Sequence, residues 1–225
     1  VTPADMDLLT RVVPAGVEVA ETFGDLRGPA GLPAEQRLVG TGGGARRWQS
    51  LVVRDLARQG LARLGHPTGP IARGRGGAPR FPAGTVGSLT HTAGYAGAAV
   101  ALAADVRAIG VDVERVRPLT GRTHPFAGAD ENAELLRLER HRPDVPWAVV
   151  LFSAKEAAFK ADHRLHGRWV AATDAVARID PDGTFHVVAA PPAQPRREWR
   201  GRWVAHGGLV ATCTALPARP RGEPR

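Results

Sequence analysis

The sequence predicts an α+β fold, and three observations carry that expectation. Helical spacing of apolar residues occurs at 46–56, at 131–140 and from Ser153 onward. Short alternating or small-apolar runs, Val86 to Thr92, Tyr95 to Ala103 and Ile109 to Glu114, read as strands. Two glycine-centred turns near the C-terminus divide further alternating segments into hairpins. With 225 residues of which 43% are hydrophobic, the chain can bury one large core or the cores of two small lobes.

From the N-terminus, the first few residues are expected to be disordered. Asp5, Asp7, Arg11 and Glu18 interrupt any apolar signal-peptide core there. Gly40-Thr41-Gly42-Gly43-Gly44-Ala45 superficially fits a dinucleotide-binding loop, but no convincing strand precedes it and no Walker lysine follows, so it reads as a lead into a helix. In that helix Trp48, Leu51, Val52 and Leu56 form the apolar side, while Arg46, Arg47 and Arg54 form a basic face that suits either phosphate or plain solvent.

Ile109-Gly110-Val111-Asp112-Val113-Glu114 alternates with period two, so Asp112 and Glu114 share a face, roughly 7 Å apart by strand rise, while Val111 and Val113 face a core. Two carboxylates so placed repel each other, and a hard cation that takes oxygen ligands, such as magnesium, relieves the repulsion. Alone, the pattern also fits an ordinary solvated strand face. Glu131 to Arg140 reads as a helix with Leu135, Leu136 and Leu138 as its apolar positions. Ser153-Ala154-Lys155-Glu156 predicts a helix beginning at Ser153, with Glu156 and Lys160 four apart on one face. By itself that segment equally describes a capped helix with a surface ion pair. Asp174 to Ala189 and Arg202 to Leu216 are the two hairpins, turning at Pro181-Asp182-Gly183 and His206-Gly207-Gly208. The Pro- and Arg-rich tail from Pro217 to Arg225 is expected to be disordered.

Composition narrows the function. The net charge of +8 favours anionic partners: nucleic acid, an acidic protein or a phosphorylated small molecule. All but two of the 30 basic residues are arginine, and the two lysines, Lys155 and Lys160, fall together in the helix from Ser153. An ammonium is a compact charge that guanidinium does not replace, which directs attention to that segment. The single cysteine, Cys213, has no disulfide partner, and the longest small-apolar stretch is too short to span a bilayer, so the expected location is cytoplasmic.

Gly110-Val111-Asp112-Val113-Glu114 and Phe152-Ser153-Ala154-Lys155-Glu156-Ala157-Ala158-Phe159-Lys160 together resemble the paired signatures of the 4′-phosphopantetheinyl transferase superfamily. Gly77-Ala78-Pro79 and Ser88-Leu89-Thr90-His91-Thr92 resemble elements of its longer branch, the surfactin-synthetase and enterobactin-synthase type. Arg46-Arg47-Trp48 with Arg54 resembles an arginine helix of the enterobactin-synthase type, although Gln49, Ser50 and Val53 stand where that branch usually has Glu, Phe and Gly.

The resemblance implies a pseudo-dimer of two similar α+β lobes, 1–105 and 106–225, with the active site in the cleft between them. It implies transfer of the phosphopantetheine arm of coenzyme A to a serine of an acyl or peptidyl carrier protein, with release of 3′,5′-ADP. Asp112, Glu114 and Glu156 would hold magnesium, or manganese, which also favours oxygen donors. Gly77, Ala78 and Pro79 would lie against the adenine and Thr90 and His91 near the 3′-phosphate. Arg46, Arg47 and Arg54 are candidates for the other phosphates, and Asp112 also belongs to the coenzyme A site. Lys155 and Lys160 would sit near the phosphates, and Glu156, directly or through a metal-bound water, would take the serine proton. The segment Pro118 to Asp130 is the expected carrier-contacting loop, and a monomer is the natural form of an internal pseudo-dimer. A metal-dependent nucleic-acid enzyme is the alternative, since three carboxylates and a basic chain suit that chemistry too.

Overall fold

The computed structural model describes residues 7–26, 31–38, 44–117, 124–167, 170–190 and 195–218. Among them are ten strands and four α-helices in three sheets. The N-terminal half holds β1 (Glu18–Phe23), α1 (Pro33–Leu38), α2 (Ala45–Arg63), a small hairpin of β2 (Ala72–Arg73) and β3 (Pro79–Arg80), then β4 (Thr85–Thr92) and β5 (Tyr95–Leu102). The C-terminal half holds β6 (Val106–Arg115), α3 (Ala129–His141), α4 (Trp147–His166), β7 (Ala175–Ile179), β8 (Thr184–Ala189), β9 (Arg197–His206) and β10 (Leu209–Pro217). The first half forms an antiparallel sheet in the order β1-β5-β4, and the second a larger one in the order β6-β10-β9-β8-β7. Each sheet is crossed by one long helix, of 19 residues in the first half and 20 in the second. The unequal sheets make the halves alike in plan but not in size.

Small residues dominate β5 because it is covered on both faces. Ala96, Ala98 and Val100 pack under α2 with Val53, Leu56, Ala57 and Leu61, while Tyr95, Ala99 and Ala101 join a second core with Val111, Val113, Leu209, Ala211 and Cys213. That second core is built from both sheets, so the lobes share hydrophobic burial. A third core lies on the other side of the large sheet, where α4 and α3 bring Trp147, Val150, Leu151, Leu135 and Leu138 against Ile179, Phe185, Val187 and Val210. Consequently β6 presents Ile109, Val111 and Val113 to the shared core and Gly110, Asp112 and Glu114 to the side of α4. A Cβ on Gly110 would lie 1.9 Å from the Ala157 carbonyl oxygen, so the glycine lets the helix backbone rest directly on the strand.

Several expectations are corrected here. The helix does not begin at Ser153: Pro146 occupies the cap position and α4 starts at Trp147, whose indole donates to the Arg142 carbonyl. Ser153 is thus an interior residue, and Glu156 completes no capping box. A carboxylate does cap the start of α3, where Glu131 accepts from the Gly128 amide, although Gly128 has no side chain to return the bond. The second hairpin pairs Gly201–His206 with Leu209–Thr214, close to the expected 202–216, but β9 begins earlier, at Arg197, because its first half pairs with β8. Its turn is Gly207-Gly208, both at positive φ, as a two-residue hairpin turn requires. The tail is ordered further than expected: Pro217 pairs with Val106 and the Ala218 amide donates to Asp105, while 219–225 lie outside the described residues. The first six residues and most of the 40–45 glycine run also lie outside them, although Gly44 is the cap residue of α2. No helix among the described residues is long and apolar enough to cross a membrane.

Candidate active site

The close approach of α4 to β6 at Gly110 brings the two signature segments together. Lys160 donates to Asp112 Oδ1 at 2.7 Å and to the Val111 carbonyl at 3.0 Å. Ser153, two turns earlier on α4, donates to Asp112 Oδ2 at 2.9 Å and hydrogen-bonds the Thr212 hydroxyl at 2.9 Å. Asp112 is therefore 5% exposed yet satisfied at both oxygens. Sequence reasoning missed Thr212, because nothing in an alternating strand marks which threonine will face a helix.

Glu114 and Glu156 are half-buried around this pair. Burial first, and then the Asp112 charge, raises Glu114 from 4.5 to about 7; Glu156 adds to the rise, while Lys160 and Arg117 oppose it. Glu156 is raised as well, again by burial and then by Asp112, against the pull of Lys160. The three carboxylates thus feel one another across β6 and α4. Among the described residues no three ligating side chains stand in a ready coordination shell, since Lys160 and Ser153 hold the oxygens of Asp112. The donor set nevertheless fits a hard divalent cation: three mutually repelling carboxylates, two reluctant to ionise without added positive charge.

Beyond Lys160 the cleft opens into a cavity of about 510 Å³. Gly77, Ala78 and Pro79 form part of its wall with Phe81, Ser88 and Leu89, so the Gly-x-Pro loop and Lys160 border one space. Four more basic residues line it, Arg73, Arg80, His163 and Arg164. The latter two were legible in principle, since they stand three and four residues after Lys160 and so one turn along the same helix face. His91 lies nearby: burial lowers its pKa, then Lys160 and Arg46, with Asp112 acting the other way. Arg46 is exposed at the start of α2, and Arg47 is half-buried with its guanidinium 5.9 Å from the centre of the Trp48 ring and its Nε unpaired. Thr90 is buried, its hydroxyl accepting from the Val113 amide.

Two expected phosphate contacts are not in the cleft. Arg54 is 6% exposed and spends its guanidinium inside the N-terminal half, donating to the Ile71 and Ser50 carbonyls and the Ser50 hydroxyl. It braces the base of the 72–80 loop. Lys155 is 1% exposed, and its ammonium is enclosed by Glu131 Oε2 at 2.8 Å and the carbonyls of Phe126, Ala172 and Ala175. It projects away from Lys160 because residues five apart lie on different sides of a helix. It fastens α4 to α3 and to the start of β7. The expected carrier loop lies partly outside the described residues, at 118–123; its remainder carries His124 and Phe126, stacked on each other, with Phe126 against Phe152, and its last residue, Asp130, belongs to α3. Cys213 is sealed in the shared core, where burial pushes its thiol up to about 12, so it offers no nucleophile.

The chain is also similar to known proteins. Residues 34–101 match the family model for the 4′-phosphopantetheinyl transferase N-terminal domain, and residues 108–214 match that for the 4′-phosphopantetheinyl transferase superfamily. The chain is 44% identical over 173 residues to the 4′-phosphopantetheinyl transferase Svp of Streptomyces mobaraensis, covering 74% of this chain and 70% of that protein. It is 35% identical to PptT of Mycobacterium tuberculosis, covering 93% and 98%, and 33% identical to Npt of Nocardia iowensis, covering 92% and 99%; both are also named 4′-phosphopantetheinyl transferases. With two signature segments meeting at one cleft and relatives aligned over nearly its whole length, the chain belongs to the 4′-phosphopantetheinyl transferase superfamily.

Proposed function

We propose that this protein transfers the 4′-phosphopantetheine group from coenzyme A to a serine of an acyl or peptidyl carrier protein. The observation that carries the reading is the Lys160–Asp112 pair, flanked by Glu114 and Glu156 and opening on a cavity with a basic wall. The lobe 1–105 would contribute mainly nucleotide contacts, through Gly77, Ala78, Pro79, Thr90, His91, Arg46 and Arg47. The lobe 106–225 would contribute the carboxylates and Lys160.

A magnesium ion held by Asp112, Glu114 and Glu156, or manganese in its place, would supply positive charge against the pyrophosphate. The protein residues do the rest. Lys160 carries a fixed cation to the cavity mouth, where it can offset charge on the departing phosphate. Glu156 has its pKa raised by burial and by Asp112, which makes its carboxylate a better proton acceptor for the carrier serine. The serine oxygen bonds to the phosphorus bearing the pantetheine, the pyrophosphate P–O bond breaks, and 3′,5′-ADP departs with its electron pair. Positioning and electrostatics supply most of the rate in such a phosphoryl transfer, so no protein nucleophile is required. The reaction belongs in the cytoplasm, and a monomer suffices because both walls of the cleft come from one chain. The nucleic-acid alternative finds no support in the family matches or in the relatives.

The test is intact-mass measurement of an apo carrier protein incubated with the enzyme, coenzyme A and magnesium. One phosphopantetheine should be gained, and the gain should vanish with chelator and with Glu156→Gln. A Glu156→Gln enzyme with full activity would remove Glu156 from the mechanism.

A further inference from the structure

The two sheets meet where β4 runs beside β6, and they are joined there by side-chain hydroxyls, not by a backbone ladder. The amide of Val111 donates to Ser88 Oγ at 3.0 Å and the amide of Val113 to Thr90 Oγ1 at 2.9 Å. Ser88 and Thr90 are two apart on β4, matching the two-residue step between Val111 and Val113 on β6. The residue between those amides is Asp112. Its main chain is therefore pinned on both sides by hydroxyls from the other lobe, while its carboxylate is held by Ser153 and Lys160.

The geometry points to Ser88 and Thr90 as positioning residues that fix the carboxylate strand against the nucleotide lobe through the amides flanking Asp112. Both are at least nine-tenths buried, at 4% and 3% exposed, so water is poorly placed to replace a lost hydroxyl, and an unpaired buried amide is costly. Thr90 is followed directly by His91, whose pKa registers both Lys160 and Asp112. A shift of β6 along β4 would therefore change the spacing between the His91 side of the cleft and the carboxylates. Thr90 consequently has a second task beside any nucleotide contact: its hydroxyl accepts from Val113 and keeps its own proton to donate.

The consequence for catalysis rests on the proposed reaction, whereas the pins themselves do not. The variants are Thr90→Val, which keeps the shape and removes the acceptor, Ser88→Ala, and Thr90→Ser, which restores a hydroxyl. Hydrogen exchange read by NMR should be about tenfold faster or more at the Val113 amide in Thr90→Val and at the Val111 amide in Ser88→Ala, with Thr90→Ser close to wild type. Calorimetric titration of manganese into the enzyme with coenzyme A bound should show several-fold weaker binding in Thr90→Val and Ser88→Ala. Transfer rates in Thr90→Val should fall with the 3′-dephospho analogue of coenzyme A as well as with coenzyme A itself. Unchanged exchange at Val113, unchanged manganese affinity in both variants, or a loss confined to the 3′-phosphorylated cosubstrate would each overturn the inference. If wild-type protein transferred no phosphopantetheine, the proposed reaction would fall and the exchange measurement alone would still decide whether the pins hold β6. If Thr90→Val failed to fold, Ser88→Ala and Thr90→Ser would carry the same comparison.

Discussion

Lys155 and Lys160 show how two identical side chains five residues apart acquire different work. Lys155 is enclosed with Glu131 at the junction of α3, α4 and β7, whereas the Lys160 side chain is 25% exposed and reaches the cleft. Removing one partner of a buried pair strands the other charge, so Lys155→Met should cost about 3–5 kcal/mol of stability. Lys160→Met should cost clearly less stability, because its side chain is partly exposed and Ser153 still holds Asp112, yet lose transfer; thermal melts beside rate assays separate the two, and an equal loss of stability in both would refute the distinction. Glu114 gives a second contrast. Its folded pKa of about 7 lies above the ordinary 4.5, so the protonated form favours folding, and that stability is lost as pH rises from about 4.5 to 7. Metal-free protein should therefore lose melting temperature over this window relative to Glu114→Gln, and magnesium should reduce the difference by binding the ionised carboxylate. Identical slopes for the two proteins in chelator would show that Glu114 ionises normally.

The contact of α4 with β6 is the element on which the site depends, and it rests on one missing side chain. A methyl at Gly110 would overlap the Ala157 carbonyl, a backbone atom in mid-helix that cannot rotate aside. Gly110→Ala should thus destabilise by at least about 2 kcal/mol and push Glu156 and Lys160 away from Asp112. Denaturant melts and transfer assays would both register it; a variant as stable and active as wild type would mean that α4 has room to lift. The sequence made this element half legible. Period two in β6 was readable because Val111 and Val113 needed a core and the carboxylates did not. The start of α4 was not, because Ser153 lies between apolar residues as a cap might, and only the tertiary fold reveals that six preceding residues are helical as well. Arg54 was misread for a related reason: an arginine on a helix looks solvated until the 72–80 loop covers it. Lys155 was misread because a motif lysine beside Glu156 looks functional, while its cage of carbonyls comes from segments far away in sequence.

At the scale of the molecule, a shared core joins two unequal halves, and Arg73, Arg80 and Arg164 line the cavity beside Lys160. The net charge is +8, and all but two of the 30 basic residues are arginine. A carrier protein acidic around its serine gives that charge a purpose, because a basic surface accelerates encounter with an anionic partner, and salt screens that attraction within about 10 Å at 0.1 M. Steering acts on association and leaves the chemical step alone. With coenzyme A saturating, raising the salt from about 0.05 to 0.5 M should therefore raise KM for the carrier by about tenfold while kcat changes little. A neutralised carrier, with its acidic residues near the serine replaced by amides, should show most of the same rise at low salt and little further response. If KM for the native carrier ignored salt, the arginines would have no part in recognition, and docking would have to rest on apolar contacts such as those available around Phe126 and Phe152.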